Sequence, residues 1–498
     1  MLNRRNFLRN LGVGGTLLAI PATILKAETS LKGGKIDLSA LTIRGRVHAS
    51  GKGVAGVAVT DGFNIVQTDK SGNCLLPSNK TAEFVYISIP AGFAISHNKG
   101  IAAFYKQVSA GNGNSFQADF VLERLEVNDR NHNFVVWADP QVVSESDAEQ
   151  MKTKSAPDLR DLVKSYPPGS LFHGIGCGDL VWDHFELYED YRTAIEISGI
   201  PFYNVIGNHD MDIDARTDDL SAKTFKKEFG PTYYSFNRGE VHYVVLDDVF
   251  FIGTAKKYIG YLTELQLQWL EQDLAMVKKG STVVVALHIP TNTGSARRND
   301  LKEDELGGVV SNRKKLYNLL EGYKVHIMSG HTHMNEKWTE GDITEHVHGT
   351  VCGAWWTGPV CSDGCPNGYG VYEVRGGEIQ WYYKSTGKSR DHQLRIYPKG
   401  ALKDKPGEIV ANVWNWDPAW KIEWYEDGQF KGEMERRVGL DPMAERLYSG
   451  AQLPKKHKWV EPTLTDHLFY ASPSVLAKKV KVQATDRFGK VFTEEITF

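Results

Sequence analysis

The chain is most constrained by five apolar runs that stop abruptly at a polar side chain. Residues 134–138 run into Asp139-Pro140-Gln141, residues 171–177 into Gly178-Asp179, and Val205-Ile206-Gly207 into Asn208-His209-Asp210. Residues 283–287 run into His288, and residues 325–328 into Ser329-Gly330-His331-Thr332-His333. Each run reads as a buried strand, and each is followed at once by a side chain able to bind a metal. A turn accounts for one Gly-Asn pair but not for the same ending five times. In an open sheet, functional side chains gather where strands end and loops begin.

Between these runs the texture is that of strands alternating with helices. Phe185, Tyr188, Tyr191 and Ile195 fall at helical spacing, and Thr263-Glu264-Leu265-Gln266 forms a capping box ahead of Leu267, Leu270, Leu274 and Val277. The alternation predicts a layered α/β domain over 130–387, closed by a hairpin across Gly376-Gly377.

On either side the pattern changes to short strands. Residues 36–122 read as a small β domain, with period-two alternation over 41–48 and turns at Asp61-Gly62 and Asp69–Gly72. It resembles the carboxypeptidase-regulatory-like sandwiches. Residues 388–498 are β-like again, turning at Asp427-Gly428 and near 486–489. Trp414, Trp416 and Trp420 there suit core or interdomain packing better than a sugar platform.

Residues 1–27, with Arg4-Arg5 before a Gly-rich apolar segment, resemble a bacterial twin-arginine signal peptide, which predicts a periplasmic or secreted protein. No other run is long enough to span a membrane, so no transmembrane segment is expected. Oxidising surroundings would allow a bridge between Cys361 and Cys365, close together in a Gly/Pro/Ser-rich loop. Across 498 residues, 58 Lys and Arg nearly balance 61 Asp and Glu, which excludes a broad nucleic-acid surface.

In this order, Asp139-x-Gln141, Gly178-Asp179, Gly207–Asp210, His288 and Gly330–His333 resemble the calcineurin-like metallophosphoesterase superfamily, in a bacterial exported three-domain form. The resemblance implies a layered β-sandwich core flanked by helices, with small all-β N- and C-terminal domains. It implies two divalent metal ions, manganese, iron or zinc. One would be held by Asp139, Gln141, Asp179 and His333, the other by Asp179, Asn208, His288 and His331. Such a pair polarises a phosphate ester and generates hydroxide from bound water. By the same resemblance His209 would stabilise developing charge or protonate the leaving group, with Asp210 orienting its ring. Where this chain has Gln141 the family usually has His, which makes the first site oxygen-rich and favours harder ions.

Trp355, Trp356, Asn367 and Tyr369 follow soon after the last ligand and are the candidate substrate contacts. A phosphodiester in an envelope glycan, lipid headgroup or nucleotide would suit them. Two other readings remain open: an inert envelope glycan-binding protein with a degraded metal site, and a hydrolase of another ester or amide bond on the same centre.

Overall fold

The computed structural model describes residues 40–109, 113–254 and 256–498; the expected signal peptide lies outside the described residues. Two sheets packed face to face form the centre. In the first, Glu378–Ser385, Gly368–Arg375, Asn131–Trp137, Phe172–Cys177 and Phe202–Val205 lie side by side, the last three mutually parallel. In the second, the order is Tyr234–Arg238, Val241–Val245, Thr282–Ala286, Lys324–Ser329, Ile343–Val347 and Glu336–Glu340, with four consecutive parallel strands in the middle.

The strand sequence explains this layering. Phe134 and Val136 enter the core between the sheets, and Val135 and Trp137 face the opposite way, against helices that include Ala156–Ser165 and Tyr188–Ser198. Period-two alternation of apolar side chains on both faces is what a strand covered on both sides requires. The helix Glu264–Leu274 starts at Thr263, whose hydroxyl accepts from the Gln266 N–H. The capping box is only half formed, because the Gln266 amide bonds both backbone groups of Asp247 instead.

The N-terminal module places Ala40–Ala49 between Asn73–Asn79 and the parallel strands Ser115–Gln117 and Phe120–Val121. A second sheet joins Ile65–Gln67, Ala58–Thr60, Phe84–Ile87 and Tyr105–Gln107. The module is joined closely to the centre: Ile101 pairs with Phe202 in the first central sheet, and the Trp269 indole donates to Thr60 Oγ1 at 3.1 Å.

The C-terminal module has two four-stranded sheets, one of them containing the hairpin Lys421–Glu426 and Gln429–Glu433. Asp427 and Gly428 both have positive φ, as a tight hairpin turn demands. Trp414 and Trp420 are buried, which agrees with packing. The bridge that the spacing would allow between Cys361 and Cys365 is not formed: both are free thiols, and their loop closes through the Cys361 N–H to the Cys365 carbonyl. Among the described residues no helix is long and apolar enough to cross a membrane.

Candidate functional site

The parallel strands of both sheets deliver their C-terminal ends to one place. Asp139 follows Trp137, Asp179 follows Cys177, Asn208 follows Val205, His288 follows Ala286 and His331 follows Ser329. Asp139, Gln141, Asp179, Asn208, His288 and His333 are buried there, and His331 is half-buried.

Five of these seven residues sit where a side chain is disfavoured. Asp139, Gln141, Asp179, His331 and His333 have φ of 47°, 42°, 49°, 67° and 55°. Left-handed backbone outside glycine costs about 1–3 kcal/mol per residue and clusters at functional sites. The turns aim peptide groups inward: the His331 N–H donates to both Asp139 carboxylate oxygens at 3.1 and 3.0 Å, and the Gln141 N–H to the Asp179 carbonyl at 2.8 Å. Neighbouring glycines permit the approach. A Cβ on Gly207 would lie 2.3 Å from Asp179 Oδ1, and one on Gly330 2.4 Å from Asp139 Oδ2.

The histidines are oriented by backbone carbonyls, each contacting one through a single ring nitrogen. His288 Nδ1 lies 3.0 Å from the Cys177 carbonyl, His331 Nε2 3.0 Å from that of Gly307, and His333 Nδ1 3.1 Å from that of Gly353. Donation to these carbonyls leaves the opposite nitrogens for the centre. His288 Nε2 then faces Asn208 Oδ1 at 3.1 Å, His331 Nδ1 at 3.2 Å and Asp179 Oδ1 at 3.3 Å. Four electron-pair donors converging in a buried place require a cation or a proton among them.

The electrostatics follow from this convergence. Burial opposes a charge on His288, yet Asp179 and Asp139 raise it to about 10. Burial, reinforced by His288, lowers His331 to about 3, and burial lowers His333 to about 4. Asp139 is pushed well above the usual carboxylate range by burial and by Asp179. Asp179 itself is held low, burial notwithstanding, by His288, His209 and His331.

Asp179, His288 and His331 form a group able to hold a metal ion. The Gln141 side chain fits a second: its amide N–H donates to Asp179 Oδ2 at 3.0 Å, and its Oε1 is buried with no partner. His333 Nε2 stands 3.6 Å from Asp139 Oδ1, on the same side. An orphaned amide oxygen, two carboxylates and an imidazole nitrogen form a donor set suited to a hard or borderline cation.

The expected role of Asp210 requires correction. Its carboxylate accepts from the Gly207, Leu180 and Val181 N–H groups at 2.9, 3.1 and 3.3 Å and from Tyr188, so it braces the loops instead of orienting His209. His209 Nδ1 lies 3.0 Å from Asp183 Oδ1, and Asp183 Oδ2 receives Lys256. Asp183 was legible four residues after Asp179 in the same strand-end loop. Asp248, likewise missed, ends an apolar strand in the same manner as the five motifs. Its Oδ1 accepts from the N–H of His288 at 3.1 Å.

Two of the four candidate substrate contacts are also corrected. Tyr369 is wholly buried and donates to Asp158 at 2.7 Å, because it alternates into the helix-facing side of its strand. Trp356 is buried, with its indole on the Pro140 carbonyl at 2.8 Å. Asn367 is half-buried and donates to the Gly358 carbonyl. Trp355 remains at the site, stacked on His333 at 4.2 Å.

The fold and site thus define a layered α/β protein with a buried His/Asp cluster at its strand ends. The chain belongs to the calcineurin-like phosphoesterase family. Residues 132–335 match the model "Calcineurin-like phosphoesterase", 41–125 its N-terminal companion and 345–492 its C-terminal companion. It is 30% identical over 172 residues to the human "Serine/threonine-protein phosphatase CPPED1", over 32% of this chain and 52% of that protein. It is 28% identical over 171 residues to "Purple acid phosphatase 23" of Arabidopsis thaliana, over 31% and 32%. The chain therefore spans about half the length of the human relative and about a third of the plant one. Among solved structures it is similar to a dimetal phosphatase from Danio rerio, with a TM-score of 0.38 and 16% identity over 51% of this chain and 96% of that one. A purple acid phosphatase from yellow lupin gives 0.38 and 12%, over 66% and 67%.

Proposed function

We propose that this protein is an exported metal-dependent phosphoesterase that hydrolyses a phosphodiester. The observation that carries the reading is the convergence of Asp179 Oδ1, Asn208 Oδ1, His288 Nε2 and His331 Nδ1, beside the unpartnered Gln141 Oε1. Asp179, Asn208, His288 and His331 would hold one divalent ion, and Asp139, Gln141, Asp179 and His333 another. Two such ions supply Lewis acidity toward the phosphoryl oxygens and acidify water.

The residues around them do the rest. Two carboxylates offset only half of the charge of two divalent ions, so the centre attracts an anionic ester. Asp183 holds His209 by Nδ1 and offers Nε2 to the oxygen that leaves phosphorus, where it can deliver a proton. Asp248 fixes the peptide of His288, and the carbonyls of Cys177, Gly307 and Gly353 fix the three rings. The diester preference is supported by the aromatic side chains beside the centre, which suit a bulky second ester group better than a bare monoester. Export is supported by Arg4-Arg5 and the apolar segment that follows.

The test is to strip the protein of metal, reload it with manganese, iron(II) or zinc, and assay bis(4-nitrophenyl) phosphate beside the monoester. Diester turnover requiring two ions per chain and collapsing in His209→Ala is expected. A monoester preference would overturn the diester assignment. Stoichiometric metal uptake with no turnover of either ester would favour an inert binding protein.

A further inference from the structure

We propose that residues 455–460 of the C-terminal module build a ring-binding subsite beside the candidate metal centre, with Trp459 as its face, for a phosphate ester carrying a flat ring. The proposal rests on the phosphoesterase reading above.

Two aromatic rings border the centre. Trp355 stacks on His333 with centroids 4.2 Å apart and planes at 19°, and Trp182 packs against His209 at 5.5 Å and 71°. One face of Trp355 is thus taken by a candidate ligand. Both rings continue outward onto Trp459, Trp355 at 4.5 Å and Trp182 at 5.9 Å. His457 completes the group, 5.2 Å from Trp182 and 5.8 Å from Trp459. The tryptophans come from three separate parts of the sequence, and the one farthest along the chain is 49% exposed.

Core packing accounts for the neighbour of Trp459 and not for Trp459 itself. Val460 is buried in a cluster with Ala354, Val360, Ala444 and Tyr448, which anchors the segment. The remainder is tied down by polar contacts. Lys456 donates to Asp147 at 3.0 Å and to Ser146 at 2.8 Å, its carbonyl accepts from Thr357 at 3.1 Å, and the Val460 N–H bonds the His457 carbonyl. His457 makes the turn with φ of 50°. A segment secured at this many points holds its half-exposed indole in a fixed place, next to rings that touch His209 and His333. Preorganised aromatic surface of this kind binds a flat ring at little ordering cost.

The experiment uses the manganese-loaded full chain and measures the binding of phenylphosphonate and methylphosphonate by calorimetry, with diester turnover assayed in parallel. Phenylphosphonate is expected to bind about tenfold more tightly, the size of one good ring contact. Trp459→Ala and Trp459→Leu, the second keeping apolar bulk without a flat face, should abolish that preference and leave methylphosphonate affinity and metal content unchanged. Equal preference in wild type and both variants, with turnover intact, overturns the subsite and leaves the enzyme reading standing. Trp459-dependent selectivity with no turnover upholds the subsite and sinks the phosphoesterase. Failure of both phosphonates to bind overturns the subsite, and with no turnover it overturns the enzyme reading as well.

Discussion

Two groups of buried histidines in this molecule have opposite meanings. His288, His331 and His333 stand at strand ends, each with one nitrogen on a backbone carbonyl and the other turned toward a carboxylate, an amide oxygen or another imidazole. His132, His173 and His346 lie within the strands and His348 one residue past the end of Ile343–Val347, all surrounded by rings: His173 stacks on Phe134 at 5.6 Å, His346 packs on Trp381 at 4.7 Å, and His132 and His348 meet the hydroxyls of Tyr243 and Tyr372. Burial does not separate the groups: apart from the half-buried His331, every one of these rings is buried. The difference lies in the partners, and it teaches that a buried histidine indicates chemistry only when unpaired donors converge on it.

The harshest way to break this comparison is to remove the charge on which the strand-end group converges. Asp179→Asn should reduce metal content from two ions per chain to less than one and lower turnover by at least about 10³-fold, since metal polarisation supplies several kcal/mol. Full metal content in that variant would show that Asp179 is not shared. A smaller but still large effect separates two aspartates. His209→Ala should cost roughly 10²–10⁴-fold in turnover, and Asp183→Asn about 10–100-fold, with metal content kept in both. Asp210→Ala should instead lower stability by about 2–4 kcal/mol, read from the shift in urea midpoint, because three backbone N–H groups lose their acceptor. If Asp183→Asn were silent and Asp210→Ala abolished turnover with unchanged stability, the assignment of the positioning residue would be reversed.

Much of the site was legible because strands advertise their ends. An apolar run that stops at Asp139, Asp179 or His288 must leave the sheet there, and a parallel sheet gathers such ends on one edge. The layered core was legible for the same reason, through its period-two and helical spacings. What sequence could not carry were contacts decided by turn geometry. Asp210 adjoins His209 in the chain and Asp183 comes from another loop, and only the course of the two loops determines which reaches its ring. Tyr369 follows the last ligand closely, yet one residue of strand alternation turns it to the far face. Trp459, more than a hundred residues beyond Trp355, had no local signal at all.

Acidity sharpens the comparison further, because His288 pulls stability in the direction opposite to the interior histidines, whereas His331 and His333, lowered by burial, pull with them. His132 is lowered to about 4 and His348 to about 3, chiefly by burial. Their contribution is present above the ordinary value of 6.5 and is lost as pH falls through those values. His288, raised to about 10 chiefly by Asp179 against the opposing effect of burial, contributes fully below 6.5 and loses its contribution as pH rises to about 10. Metal-free protein should therefore weaken on both sides of neutrality, by up to roughly 1.4 kcal/mol per pH unit for each group inside its window. Loading with manganese should remove the alkaline arm, where a cation replaces the proton on His288, and leave the interior histidines' arm in place. Urea midpoints across pH with and without metal would decide it, and an alkaline loss of equal slope in loaded protein would sink the assignment.

The smallest effect is expected at His173. Both its ring nitrogens are buried without a partner, and Phe134, Phe236 and Tyr243 pack around the ring. His173→Phe removes two unpaired polar atoms, which stabilises, and adds bulk to a packed core, which destabilises, two opposing effects of a few kcal/mol. The net change in stability should stay within about 1 kcal/mol, read as the urea midpoint at constant slope. Metal content and turnover should not move, since this ring offers nothing to the strand ends. Loss of metal on this substitution would mean that the interior rings support the centre through the sheet, and the two groups of histidines would then form one system.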